Sequence, residues 1–140
     1  IDLSYTDVKD LSLIKCLINL RSINLNATEF NGLELRNFPK LESLDLCACR
    51  HVNDGTLKDI SKHCKELTSI DLMDTLVGVD VIEKLWEALP KLKSLGFNPK
   101  YYNHKEEFLK DNSSSRIIML PMISNVKSNN EKKNKGYERL

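Results

Sequence analysis

Cysteine and histidine crowd into two short stretches, Cys47-Ala48-Cys49-Arg50-His51 and His63-Cys64. Two chemistries use residues of this kind. Zinc takes thiolate and imidazole ligands, but it needs four of them converging on one point. A Cys–His nucleophile needs a thiolate beside a base inside a cleft. Spacing along the chain decides neither, so the elements that carry these residues have to be found first.

Those elements repeat. Four segments share the pattern L-x-x-L-x-L: Leu20-Ile23-Leu25, Leu41-Leu44-Leu46, Leu67-Ile70-Leu72 and Leu92-Leu95-Phe97, with Ile1 and Leu3 as the tail of a fifth. Successive starts lie 21, 26 and 25 residues apart, inside the range of leucine-rich repeats. Three residues after each strand's last leucine stand Thr6, Thr28, Cys49 and Thr75. Three residues before each new start stand Leu17, Phe38, Cys64 and Leu89.

Each register has a physical reason. Apolar residues two apart share one face of a strand and point inward. The following Thr or Cys sits where the chain turns away, small enough to enter the turn and hydrogen-bond backbone amides left inside it. The spacing then becomes helical, with Leu57, Ile60 and Cys64, and again with Ile82, Leu85 and Leu89. Asp54 is placed to cap the first helix, and Pro90 stops the second. Leu11, Ile14 and Leu17 belong to the helix of the first unit. The 21-residue unit with Phe30, Gly32, Leu33 and Phe38 is expected to return through a short turn or 3₁₀ piece.

No unit can bury its leucines alone. Stacking predicts an α/β right-handed leucine-rich-repeat solenoid, with a parallel sheet on the concave face and helices on the convex face. The expected divisions are 1–97 as repeats, 98–124 as a C-terminal cap holding a short helix over 103–110 and a strand over 117–120, and 125–140 as a disordered basic tail. Trp86, one residue past the inward Leu85, either packs against the adjacent repeat or anchors a partner. Tyr101 and Tyr102 in the cap invite the same two readings. Ile1 already lies inside a repeat, which points to a piece of a longer or processed protein with an open N-terminal edge.

This frame puts Cys47 on the concave face and Cys49 inside a turn, so the four zinc ligands do not converge and a flat sheet provides no cleft. No metal, cofactor or catalytic residue is expected, and the thiols are read as structural, with Cys47 more reactive than Cys49 and Cys64. The candidate binding surface is the concave face. One column runs Ser22, Ser43, Ser69, Ser94, the next Asp2, Asn24, Asp45, Asp71, Gly96, and the third Ser4, Asn26, Cys47, Met73, Asn98, with Asp74 and Tyr5 at its rim. Asp45 and Asp71 become cross-strand neighbours, and like charges so placed cost stability. A sheet that keeps them either holds them for a basic ligand segment or merely stays soluble.

The stretch from Leu41 to Cys64 resembles a cysteine-containing leucine-rich repeat, with cysteines at Cys49 and Cys64 and the apolar-x-Asp signature Val52-Asn53-Asp54 between them. The type is typical of F-box leucine-rich-repeat proteins, where the solenoid holds the substrate of a ubiquitin ligase. It is also similar to small mitochondrial members, including coupling-factor-B-like and respiratory-complex assembly proteins. The resemblance implies a non-enzymatic protein-binding module, cytoplasmic or nuclear, with a structural subunit or assembly factor of a larger complex, mitochondrial in location, as the alternative. An F-box helix set is not visible in the sequence.

Composition agrees with these expectations. The 140 residues suit one domain, 41% are hydrophobic, and the formal net charge is +1. Residues 125–140 carry five basic and two acidic residues, which leaves sixteen basic against eighteen acidic in residues 1–124. A slightly acidic body argues against nucleic acid, whose phosphates need clustered Lys and Arg. Reduced structural thiols point to an intracellular compartment.

Overall fold

Apolar residues with period two demand a strand with one inward face, and the four L-x-x-L-x-L segments each supply one. In the computed structural model, which describes residues 1–97, the strands are β1 Ser22–Asn24, β2 Ser43–Asp45, β3 Ser69–Asp71 and β4 Ser94–Gly96. They form one parallel sheet in chain order, with Ile23, Leu44, Ile70 and Leu95 in register and all buried. The architecture is α/β, compatible with a leucine-rich-repeat fold. The sheet ladder runs beyond the short strands. The amides of Leu3, Leu25, Leu46 and Leu72 donate to the carbonyls of Asn24, Asp45, Asp71 and Gly96 in the next unit. Asp2 bridges Asn24, adding the fifth partial strand.

The return segments differ in kind. Helix α1, Asp54–His63, and helix α2, Val79–Ala88, follow β2 and β3. The shorter unit returns through a single 3₁₀ turn at Leu35–Asn37, as its length requires. The first unit also has only a 3₁₀ turn, Ser12–Ile14, rather than a helix. Leu11 is buried there, but Leu13 and Leu17 are exposed, as is Leu33 in the next unit. Phe38, Cys64 and Leu89 fill their shared register, whereas Leu17 does not. A 3₁₀ turn eclipses residues three apart, so it cannot bring a full helical stripe inward.

Two further expectations are corrected. Asn53, not Asp54, caps α1: its side chain accepts from the amides of Gly55 and Thr56, and Thr56 returns the bond to complete a capping box. Asp54 instead accepts the amide of Gly78, the residue preceding α2, at 3.1 Å. The turn residues also act mainly as donors. The hydroxyls of Thr6, Thr28 and Thr75 donate to the carbonyls three residues back, and the Cys49 thiol donates to the Leu25 carbonyl of the preceding unit at 3.0 Å. The orphan groups in these turns are therefore chiefly carbonyls. One amide, that of Phe30, bonds to Thr28. Pro90 follows the end of α2, and Trp86 is half-buried against the core. The cap, its helix and strand, the tyrosine pair, Asn98 and the basic tail lie outside the described residues.

Candidate functional site

Side chains that alternate with the buried ones must emerge on the other face of the sheet. There the serines 22, 43, 69 and 94 stand in register, and so do Asn24, Asp45, Asp71 and Gly96. The bridge to Asn24 adds Asp2 to the second column. The third column holds because the amides of Tyr5, Ala27 and Ala48 donate to the carbonyls of Asn26, Cys47 and Met73. Asp2, Ser22 and Asp74 are exposed, while Asn24, Asn26, Ser43, Asp45, Cys47, Ser69, Asp71 and Met73 are half-buried. Asp45 and Asp71 are thus cross-strand neighbours.

The second column also has a local task that its spacing alone did not reveal. Asp2, Asn24, Asp45 and Asp71 each accept, at 2.9–3.0 Å, the amide two residues on, from Ser4, Asn26, Cys47 and Met73. These Asx turns bend the chain out of the strand. Each leads into a left-handed residue, Tyr5, Ala27, Ala48 or Asp74, with φ between 54° and 57°. The available signal was Asp or Asn one residue after the apolar strand residue, Ile1, Ile23, Leu44 or Ile70, in four consecutive units. Gly96 breaks the column because Asp71 leans over it: a Cβ there would lie 2.7 Å from an Asp71 carboxylate oxygen.

Charge accumulates on this face. Burial and the carboxylates of Asp71 and Asp2 raise the Asp45 pKa, against the lowering effect of the Cys47 amide. Burial, with Asp71, Asp45 and Asp74 around it, pushes the Cys47 thiol up to about 11. The surface can therefore offer serine hydroxyls and carboxylate charge to a ligand, but Cys47 is a poor nucleophile. Cys49 is buried on its carbonyl, and His51 pairs with exposed Glu29 at 3.3 Å. Among the described residues no group of three His, Cys, Asp or Glu side chains is arranged to hold a metal ion.

The four thiols also differ in access. Cys16 is exposed, Cys47 half-buried, and Cys49 and Cys64 fully buried. At pH 8 an alkylating reagent should modify Cys16 first and Cys47 slowly, with Cys49 and Cys64 reacting only on unfolding. Mass spectrometry of a time course reads the order, and early labelling of Cys49 or Cys64 would contradict the packing.

No family model matches the chain. It is similar to Receptor like protein 23 of Arabidopsis thaliana, with 26% identity over 129 residues, or 89% of this chain. The chain spans 14% of that protein's length. Among the described residues, no helix is long and apolar enough to cross a membrane.

Proposed function

We propose that the chain is a non-enzymatic protein-binding module, a right-handed leucine-rich-repeat solenoid that receives its partner on a concave sheet face. The observation that carries this reading is the register of the serine and Asp/Asn columns across successive strands. Such columns offer a repeated, rigid array of donors and acceptors to an extended partner. The similarity to a receptor-like protein agrees with a binding role. The binding residues on this reading are Asp2, Ser22, Asn24, Asn26, Ser43, Asp45, Cys47, Ser69, Asp71, Met73, Asp74 and Asn98. Residues 98–124 act as the cap and 125–140 as a basic tail.

The finer assignment is to the substrate-recognition repeats of an F-box-type ubiquitin ligase adaptor inside the cell. It rests on the resemblance of residues 41–64 to the cysteine-containing repeat, in which Cys49 and Cys64 take structural places, donating to carbonyls of the preceding unit at 3.0 and 3.6 Å. The second reading is a structural subunit or assembly factor, mitochondrial in location, that docks through the first unit. The exposed Ile1, Leu13, Leu17 and Ile18 at that end favour it.

The test is the double substitution Asp45→Asn with Asp71→Asn, assayed on the partner that co-purifies from source cells. Affinity should fall and its salt dependence flatten, because a screened attraction has been removed. The free protein should be more stable at neutral pH by a few tenths of a kcal/mol, about the size of a half-exposed charge pair. The sign follows from Asp45. Its folded pKa lies above the unfolded one, so the unfolded state releases the proton first and stability falls as pH rises through the folded value. The gain should therefore vanish below the ordinary carboxylate range. Unchanged affinity and salt dependence would remove the sheet face as the site.

A further inference from the structure

The units are not held equally. Residues 41–66 bury Leu41, Leu44, Leu46, Cys49, Val52, Leu57, Ile60 and Cys64 almost completely. They also reach into both neighbours. Cys49 and Cys64 bond carbonyls of the preceding unit, while Asp54 takes the Gly78 amide and the Lys65 ammonium takes the Ala88 carbonyl at 3.0 Å. Residues 1–18 bury one apolar side chain fully, Leu11, and leave Leu13 95% exposed. Their joint with the next unit rests on a short ladder, Ile1 ammonium to Ser22 carbonyl, Leu3 amide to Asn24 carbonyl, Tyr5 amide to Asn26 carbonyl and Asn24 amide to Ile1 carbonyl. Two bonds hold the return leg: the Asn31 amide to the Lys9 carbonyl, and the Leu11 amide to the Glu34 carboxylate at 2.8 Å.

We propose that residues 1–18 form a strap that opens as a unit while the rest of the fold stays closed, with the Glu34 carboxylate as its latch on Leu11. Segments with few buried apolar groups and exposed backbone bonds open at lower free energy than the core. Opening uncovers the outer edge of β1, freeing one donor, the Asn24 amide, and three acceptors, the carbonyls of Ser22, Asn24 and Asn26. An edge with free donors and acceptors is a template for strand addition. Glu34 holds this position in a left-handed conformation, φ 74°, directly before the 3₁₀ turn Leu35–Asn37, which directs its side chain back onto the first unit.

Native-state amide exchange on the full chain tests the strap. The Leu3, Tyr5 and Leu11 amides should exchange together, after correction for intrinsic rates, at least about a hundredfold faster than those of Leu46 and Ala48. Glu34→Ala should speed Leu3 and Tyr5 by a further several-fold and leave Leu46 and Ala48 unchanged. Equal protection across all five amides would show that no strap opens by itself. Acceleration of all four reporters by Glu34→Ala would make the bond a global support, and acceleration of none would remove the latch. Either outcome overturns the proposal.

Discussion

Leu44→Ala should lower the stability of the fold by about 2–5 kcal/mol, the range found when a buried leucine is cut back and its cavity only partly collapses. Leu44 is 1% exposed and lies in register between Ile23 and Ile70, both equally buried. The cavity would therefore open between two units rather than beside solvent. Its neighbours cannot move inward without breaking the ladder that fixes their spacing. The loss should appear as a lower midpoint in urea denaturation, with the slope preserved if the units still unfold together. A midpoint equal to the parent's would mean that the strand register described above is wrong.

Gly32→Ala should cost about 2–4 kcal/mol although it adds one methyl group. Gly32 sits at φ +84°, where an L-residue is strained by about 1–2 kcal/mol. Its Cβ would also lie 2.2 Å from the Thr56 hydroxyl and 2.9 Å from the Thr56 Cβ. Thr56 is buried and belongs to the α1 capping box, so it cannot swing away without releasing that cap. Overpacking of this kind adds about 1–3 kcal/mol. Gly78→Ala is the control, since its Cβ would meet nothing nearer than an Asp54 carboxylate oxygen at 3.8 Å. That change should cost less than about 1 kcal/mol, the difference between Gly and Ala at a helix N-cap. Equal losses at the two glycines would show that the crowding at Gly32 is relieved in solution.

Both effects depend on contacts between units separated by more than twenty residues, and there the sequence alone reached its limit. The Leu44 register could be read directly, because period two and the spacing of the starts identify which residues must share a layer. The clash at Gly32 could not. Nothing in the chain near residue 32 points to Thr56, which arrives from the following unit. The same applies to the α1 cap. Asn53 and Asp54 are both capping types, and only the backbone geometry, extended at Asn53, decides between them.

The sheet face divides in the same way. Its columns of Ser, Asp and Asn were legible from the repeat frame, and the strand pairing places Asp45 beside Asp71 as that frame requires. The Asx turns needed a conformation that spacing does not specify, with each side-chain oxygen brought onto the amide two residues on. That burial and charge raise the Cys47 thiol pKa was not legible, because the carboxylates around it come from three different positions, Asp71, Asp45 and Asp74.

What the sequence by itself determined is the order and register of the layers. Hydrophobic periodicity is local, and burying the apolar residues of the L-x-x-L-x-L segments leaves one stacking consistent with it. What only the tertiary structure decided is how each layer closes: a 3₁₀ turn or an α-helix, an inward Leu11 beside an exposed Leu13, a thiol on a carbonyl or a thiol among carboxylates. Those outcomes depend on donors, acceptors and volume supplied by the adjacent unit, and distances through space between units are not written in the spacing along one of them.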